Sequence, residues 1–323
     1  MELATDSRTY QPPNVTVQPP KNTLPLTLKI ATSDKKVLIH QYEISGSEFR
    51  DNGSNYSDSD EYPREGDDQG LVIIFNQEKF RPGSKNDVQN LQETFSKLGF
   101  NVKTPYINKG RKDIQKICKD FEENNEIIQS NSLIVIFMSH GDKNNILYTE
   151  DGQITVMELI EAISNPFKNK PKLFIFQACK ATVAESLQNE VPQLIFPIYN
   201  LPSDVIIYYS TVEGSVSVRD SYSGSWLISE LCKNVLMYGR REDIISLLQR
   251  TTKCVSMLKG DIKEDCTFIE NYKQMPVIVS TLQKKFYLSS NKYRENIHNT
   301  NKRIEEVAKS LNDVVQQVIT KFK

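Results

Sequence analysis

Five short runs of apolar residues recur through the middle of the chain and limit its fold more than any other feature. LVIIF begins at position 71, and LIVIFM, LFIF, VIIYY and PVIV begin at positions 133, 173, 205 and 276. Each has the length of a buried strand, and FNVKTPY at 100–106 adds a sixth. Segments between them space their apolar residues at helical intervals, and such alternation is typical of a covered parallel sheet. The sequence therefore predicts an α/β fold: a six-stranded, mostly parallel sheet with helices on both faces.

Composition divides the chain into three parts. Residues 1–66 are rich in Pro, Ser, Asn and Asp and predict a largely disordered leader, with LPLTLKI and KKVLIHQYEI as a possible small hairpin. Residues 67–290 predict one compact domain. Residues 291–323 predict an amphipathic C-terminal helix with a heptad-like apolar stripe. The stripe consists of Ile297, Ile304, Val307, Leu311, Val314, Val318 and Phe322.

Charge and cysteine content exclude several classes of protein. Forty Lys and Arg residues stand against 41 Asp and Glu residues, so neither nucleic acid nor a membrane is expected as a partner. No run reaches the 18 apolar residues of a membrane span, and the N-terminus lacks the apolar segment of a secretory signal. Five dispersed cysteines without a CxxC pair argue against a disulfide framework or a metal site. We therefore expect a cytoplasmic protein without cofactors.

Two predicted strands end on side chains that can perform nucleophilic chemistry. SLIVIFMSHG leads to His140, and PKLFIFQAC leads to Cys179. Neighbouring parallel strands would bring these ends together, where the imidazole could take the proton of the thiol. Gly141 would leave its backbone N–H open to stabilise an oxyanion together with the N–H of Cys179. The alternative is that both residues serve packing, because unpaired cysteines are often buried for structural reasons.

Two arginines lie in loops that follow predicted strands. Arg81 opens RPGSKNDVQNL after the first strand, and Arg219 lies in the loop after the fifth. Guanidinium groups that converge on one pocket would bind a carboxylate bidentately, with Gln177 adding an amide donor. A cysteine hydrolase with this pocket would select an acidic residue immediately before the scissile bond.

In these motifs the chain resembles the caspase family, cysteine proteases that cleave after aspartate. The resemblance runs from Gly70 to Leu288 and rests on GLVIIFN, RPGSKNDVQNL, SHG, QAC, YYSTVEG, GSWLI and MPVIVSTLQKKFYL. It points to an insect-like or other invertebrate member with a divergent QACK motif. It also implies a large-subunit part at about 67–180, a linker at about 180–203 and a small-subunit part at about 204–290.

The resemblance assigns a role to each candidate residue. Cys179 would be the nucleophile and His140 the base, oriented by a main-chain carbonyl near Lys79, with Gly141 at the oxyanion hole. A second group would bind the substrate: Arg81, Gln177 and Arg219 in the aspartate pocket, and Trp226 in the groove for residues further upstream.

The chain departs from the family pattern at three places. Lys180 and Ala181 stand where QACRG has arginine and glycine, so a loop that depends on free backbone dihedrals is expected to change. SVSV replaces aromatic residues before Arg219, which predicts smaller or differently selective pockets. The linker at 180–203 contains no Asp, so the chain would act uncut, be activated by dimerisation, or be cut after Glu by another protease.

Two functions of different classes follow. The first is an endopeptidase that cleaves protein substrates at acidic sites in apoptosis or innate immune signalling. The second is a catalytically weak homologue that regulates an active caspase by heterodimerisation. The intact residues favour the enzyme, whereas the linker and QACK favour the regulator. In either case we expect a homodimer, or a heterodimer with another caspase.

Overall fold

The computed structural model of the chain describes residues 60–64, 70–181, 201–264 and 267–321. The predicted N-terminal hairpin and most of the predicted linker lie outside these residues. The strands are β1 (Leu71–Asn76), β2 (Asn101–Val102), β3 (Tyr106–Ile107), β4 (Leu133–Met138), β5 (Gly141–Asp142), β6 (Ile146–Tyr148), β7 (Gln153–Thr155), β8 (Lys172–Gln177), β9 (Val205–Tyr209), β10 (Arg219–Asp220), β11 (Gly224–Ser225), β12 (Gly260–Glu264), β13 (Thr267–Tyr272) and β14 (Val277–Ser280). The α-helices are α1 (Ser84–Lys97), α2 (Arg111–Glu123), α3 (Asn125–Gln129), α4 (Val156–Ser164), α5 (Trp226–Tyr238), α6 (Ile244–Met257) and α7 (Asn291–Lys321).

The main sheet has the predicted mixed, mostly parallel topology. Its strand order is β14-β9-β8-β4-β1-β2, and β3 also pairs with β1. Every pairing is parallel except that of β14 with β9. The predicted α/β fold is confirmed, with one difference: the segment at 100–106 forms two short strands instead of one.

Helices cover both faces of the sheet because both faces of the central strands are apolar. Along β4, Ile134 and Ile136 pack in a core with α1, α5 and α6, whereas Val135 and Phe137 pack in a second core with α2 and α4. All residues of β1, β4 and β8 are buried. This two-sided burial explains the continuous apolar runs in the sequence.

Three small antiparallel sheets lie outside the main sheet. They consist of β5-β6-β7, β10-β11 and β12-β13. Their strands are only two to six residues long, and adjacent apolar residues in β6 (Ile146 and Leu147) and β13 (Phe268 and Ile269) break any alternation, so the sequence shows no strand periodicity there. They matter for function because β5 continues directly from the end of β4 and β10 carries Arg219.

A short segment before the predicted domain boundary packs on the domain. Tyr62 is buried, and its hydroxyl donates to Asp204 Oδ1 at 2.5 Å. Backbone bonds join Tyr62 to Lys285, and Arg64 donates to Ser132 Oγ at 3.1 Å. The packed unit therefore begins on the N-terminal side of the boundary predicted at residue 67.

The predicted C-terminal helix is present as α7, which is 31 residues long. Arg294 anchors its start: it pairs with Glu61, donates to the Ser289 carbonyl at 2.7 Å and lies over the Tyr287 ring. Further along the helix, Ile304 and Leu311 of the apolar stripe are 60% and 62% exposed. The described part of the chain therefore leaves these two residues of the stripe uncovered.

The central strand gives a direct test of the fold. Ile136→Ala should lower the free energy of unfolding by about 2–5 kcal/mol, because it leaves a cavity in the middle of the sheet. Met257→Ala, at a position that is 70% exposed, should change it by no more than about 0.5 kcal/mol. Urea unfolding followed by circular dichroism measures both. Equal effects of the two substitutions would contradict the described core.

Candidate active site

The pairing of β4 with β8 brings His140 and Cys179 together. Met138 lies opposite Gln177 in the parallel register, and the Ser139 N–H donates to the Gln177 carbonyl at 3.1 Å. His140 and Cys179 each lie two residues beyond this last pair. Both line one cavity of about 490 Å³ at the carboxyl edge of the sheet. The edge is where parallel sheets place their chemistry.

Gly141 is required for this close approach. A Cβ atom at this position would lie 2.5 Å from the Cys179 carbonyl oxygen and 2.9 Å from the Ala178 Cβ. Any other residue would therefore push the ends of β4 and β8 apart. The backbone of Gly141 lies beside that of Cys179. Two N–H groups that bind one oxyanion would need such an approach.

The imidazole of His140 is held by a main-chain carbonyl. Its Nε2 lies 3.0 Å from the carbonyl oxygen of Lys79, the position that the family resemblance implied. When Nε2 carries the proton and donates to this carbonyl, Nδ1 is left as an acceptor. The contact thus fixes both the ring orientation and the tautomer that can act as a base.

The thiol of Cys179 is half-buried and lies against Ser217. The Ser217 N–H donates to Sγ at 3.3 Å, and Sγ lies 3.8 Å from the Ser217 carbonyl oxygen. Two other cysteines have a different environment: burial raises the pKa of both Cys118 and Cys232 to about 12. Those thiols are suited to packing, whereas Cys179 opens onto a cavity. The described residues contain no cluster of His, Cys, Asp and Glu that could hold a metal ion.

Arg81 is a buried cation with an unsatisfied edge. Its side chain is 2% exposed, and Nη1 donates to Asn76 Oδ1 and to the Gln77 carbonyl, both at 2.9 Å. Its Nε and Nη2 have no hydrogen-bond partner among the described residues. Burial and, to a smaller extent, the charge of Arg219 lower the pKa of Arg81 to about 9, while Asp87 opposes them. An anion bound at the Nε–Nη2 edge would satisfy both nitrogens and stabilise the charge.

Arg219 and Gln177 complete the surroundings of this edge. Arg219 is half-buried, its Nε donates to the Pro82 carbonyl at 2.9 Å, and burial lowers its pKa. Gln177 Nε2 donates to Ser217 Oγ at 2.6 Å, and its Oε1 has no partner in the described part of the chain. The charges of both arginines interact with that of Cys179. Ser217 therefore joins Gln177 to the thiol, whereas none of the three predicted pocket residues lines the cavity of His140 and Cys179.

Trp226 lies in a different cavity from His140 and Cys179. This second cavity, of about 500 Å³, is lined by residues of α1 and α5 and by Leu258. Gly260 packs closely on the indole, because a Cβ there would lie 2.9 Å from Trp226 Cζ2. The structure thus places Trp226 near the site but does not bring it into the cavity of the thiol.

Ala181 does not use the freedom that glycine would supply. It is buried, lines the cavity of the thiol and is not among the residues with positive φ. The expected change in this loop therefore does not arise from backbone strain at Ala181.

The caspase domain family model matches residues 69–287. The chain belongs to the caspase family. The resemblance inferred from the sequence motifs is thereby confirmed, and membership makes the chain a protein of the caspase-type cysteine peptidase class. Among the described residues no helix is both long and apolar enough to cross a membrane.

Proteins of similar sequence and structure align with most of this chain. Caspase-3 of Mus musculus is 30% identical over 278 residues, covering 79% of this chain and 97% of the relative. Caspase-6 of Bos taurus is 28% identical over 268 residues, covering 72% of this chain and 88% of the relative. The crystal structure of caspase-1 from Spodoptera frugiperda is 26% identical with a TM-score of 0.60, covering 72% of this chain and 94% of that one.

Sequence reasoning missed two residues of the caspase site. Asp87 is buried, its charge interacts with those of both arginines, and it accepts hydrogen bonds from the backbone N–H and the hydroxyl of Ser225 at 2.7 and 2.6 Å. Ser217 contacts both Cys179 and Gln177. One feature of the sequence could have indicated Asp87: it is an acidic residue in the first turn of α1, directly after the Arg81 loop. No feature of the sequence indicates Ser217.

The unsatisfied edge of Arg81 can be tested without any catalysis. N-acetyl-aspartate α-amide, whose side chain is its one carboxylate, should raise the melting temperature of the full chain, because a ligand stabilises the state that binds it. At about ten times its Kd the ligand would add roughly 1.4 kcal/mol to the free energy of unfolding. N-acetyl-asparagine α-amide, its neutral isostere, and the Arg81→Met variant serve as controls and should show no shift. Equal shifts with both ligands would contradict a carboxylate site.

Proposed function

We propose that this chain is a cysteine endopeptidase that cleaves protein substrates after aspartate. One observation carries the proposal: a buried guanidinium with an unsatisfied edge interacts electrostatically with a thiol that shares a cavity with a histidine. The thiol and the histidine supply the chemistry of acyl transfer, and the guanidinium supplies selectivity for an acidic residue. Membership in the caspase family supports the same conclusion.

Cys179 acts as the nucleophile. His140 Nδ1 takes the proton of the thiol while Nε2 stays bonded to the Lys79 carbonyl. The thiolate then attacks the carbonyl carbon of the scissile bond and forms a tetrahedral intermediate. The same imidazole protonates the leaving amine, which yields a thioester that water hydrolyses to release the acid product.

The N–H groups of Gly141 and Cys179 stabilise the tetrahedral intermediate. In this proposal its negative oxygen accepts from both backbone N–H groups, and the close packing of Gly141 on Cys179 supports that role. Such donors act mainly in the transition state, where the charge develops, and therefore raise kcat more than they change KM.

The side chain before the scissile bond enters the arginine pocket. Its carboxylate binds the Nε–Nη2 edge of Arg81 in a bidentate geometry, with Arg219 and Gln177 completing the site. The guanidinium is already desolvated and held by Asn76 and Gln77, so binding requires little reorganisation. Trp226 contributes to binding of substrate residues further upstream.

The cellular role follows the family. We propose that the protease acts in the cytoplasm, in apoptosis or innate immune signalling; its dispersed cysteines, which favour a reducing compartment, support this location. The segment at 180–203 contains no Asp and so offers no site for a protease of the same specificity. Activation without a cut at aspartate in this segment is therefore part of the proposal.

Hydrolysis of matched peptides tests the function. Three fluorogenic peptides that differ only in Asp, Asn or Glu before the scissile bond should show turnover of the Asp peptide above all. Cys179→Ala should abolish it without changing the circular dichroism spectrum, and His140→Ala should lower kcat by about 10²–10⁴-fold. The chain is assayed alone and fused to an inducible dimerisation domain.

The outcomes separate the two functions. If the Cys179→Ala variant still hydrolyses the Asp peptide, Cys179 is not the nucleophile. A folded chain without turnover even when dimerised would favour the catalytically weak homologue that regulates another caspase. That homologue should then change the rate of an added active caspase.

We also propose that α7 pairs with α7 of a second copy. The apolar residues follow a heptad register, with Ile297, Ile304, Leu311 and Val318 seven residues apart and Val307 and Val314 at the intermediate positions. This 3.5-residue repeat is the pattern of helices that supercoil around each other. Four heptads exceed the length that an isolated pair of helices needs to compensate for the cost of helix nucleation.

The charges along α7 favour a second copy over a charged partner. Lys302, Glu305, Glu306 and Lys309 occupy the heptad positions that point away from a seam. The positions that flank the seam carry Asn301, Ala308, Ser310 and Val315. Among the flanking positions from 301 to 317, Arg303 is the one charged side chain. Two copies therefore meet with apolar and neutral faces and without opposed like charges.

A pair of matched substitutions tests this self-association. Leu311→Asp places a carboxylate in the seam and should weaken self-association at least tenfold, with activity falling most at low protein concentration. Asn312→Asp adds the same charge one residue away on the outer face and should have little effect. Analytical ultracentrifugation of the full chain measures both. The same association constant for both variants and the wild type would contradict the proposal.

A further inference from the structure

Lys180, the residue directly after Cys179, is almost completely buried. Its exposed fraction is 7%, and its ammonium lies 2.5 Å from Asn145 Oδ1 and 3.1 Å from Glu213 Oε2. The same ammonium lies over the ring of Tyr209, 3.9 Å from the ring centroid. Burial lowers the pKa of Lys180, and the carboxylate of Glu213 opposes this shift. A buried lysine with three partners is a built feature of the site rather than a surface charge.

Lys180 and the two residues that its ammonium hydrogen-bonds lie in three different loops. Lys180 belongs to the loop of the nucleophile, Asn145 to the turn between β5 and β6, and Glu213 to the loop that leads from β9 to Ser217. Backbone bonds already join two of the loops, since the Lys180 N–H donates to the Ser215 carbonyl at 2.9 Å. The side chain of Lys180 adds the third loop, the one that begins at Gly141.

The turn that Lys180 binds has an unusual backbone. Asn144 and Asn145 both have positive φ, at 61° and 59°. Hairpin turns use such left-handed residues and asparagine tolerates them, but they are less favourable than for glycine, so contacts from neighbouring groups stabilise the turn. The support consists of the Lys180 ammonium on Asn145 and of Glu213, whose Oε1 accepts from the Asn144 N–H at 2.8 Å.

We propose that Lys180 is a positioning residue for the oxyanion hole. Its ammonium holds the Asn145 turn against the nucleophile loop and so keeps the N–H of Gly141 beside that of Cys179. The inference rests on the proposed function, because an oxyanion forms only if the site performs acyl transfer. It also accounts for the QACK sequence: the cation after the nucleophile is retained, and Glu213 and Asn145 are its partners in this chain.

This role predicts a specific kinetic effect. Donors that are displaced by a fraction of an ångström stabilise the transition state less, while the substrate in its ground state binds as before. Lys180→Met, which removes the charge but keeps the length of the side chain, should lower kcat for the Asp peptide by about 10–100-fold with KM within about twofold. Lys180→Arg should retain most of kcat, because it restores a cation of similar reach.

A second measurement separates positioning from general damage. Iodoacetamide alkylates a thiolate without forming an oxyanion, so its rate at Cys179 should be the same in Lys180→Met and in the wild type. Mass spectrometry of the peptide that carries Cys179 gives this rate. Lys143→Met, the same substitution at an exposed position of the same turn, is the matched control and should change neither rate.

The outcomes are distinct. Wild-type turnover with an unchanged kcat in Lys180→Met would overturn the role of Lys180 alone, as would an equal loss of alkylation and turnover. If Lys180→Met does not fold, Glu213→Gln keeps a neutral acceptor for the ammonium and should still lower kcat without changing KM; an unchanged kcat there would also overturn the proposal. A wild-type chain that alkylates at Cys179 but hydrolyses no Asp peptide would overturn the proposed function, and this inference with it.

Discussion

The parallel pairing of β4 with β8 is the constraint on which the rest of the site depends. Six consecutive residue pairs fix the register, from Leu133 opposite Lys172 to Met138 opposite Gln177. A shift by one residue would exchange the two faces of a strand that is buried on both. A shift by two would keep the faces but move His140 by about 7 Å relative to Cys179, beyond the reach of a proton transfer. The core packing that fixes the register therefore also fixes the distance between base and nucleophile.

A buried excess of positive charge is the second requirement of the site. Arg81 and Arg219 both interact electrostatically with one buried carboxylate, that of Asp87, whose own pKa is raised by burial and opposed by hydrogen bonds from Ser225. Two guanidinium groups beside one carboxylate leave a net positive charge in a region with little water. Such an arrangement is unfavourable in the free protein and favourable once an anion binds. The selectivity that we propose for aspartate thus originates in incomplete charge compensation.

Features that depend on neighbouring residues in the sequence could be predicted, whereas contacts between distant residues could not. The apolar runs of β1, β4, β8, β9 and β14 report two-sided burial directly, and strand ends identified His140 and Cys179. The sequence predicts one strand at 100–106, but this segment carries one residue more than β1 between its two pairings, and Pro105 cannot donate to a ladder. The bond from Ser225 to Asp87 joins residues 138 positions apart, and no local pattern encodes such a contact.

Long-range contacts, and not the continuity of the chain at 182–200, join the parts of the site on either side of that segment. Cys179 precedes this segment, whereas Ser217 and Arg219 follow it. The two sides are joined by the pairing of β8 with β9 over five residue pairs and by Ser210, whose hydroxyl bonds both the N–H and the carbonyl of Ala178 at 3.2 and 3.0 Å. These contacts belong to the core of the sheet and do not require an intact peptide bond between them. A cut within this segment would therefore leave the pairing of β8 with β9 and the bonds of Ser210 to Ala178 in place.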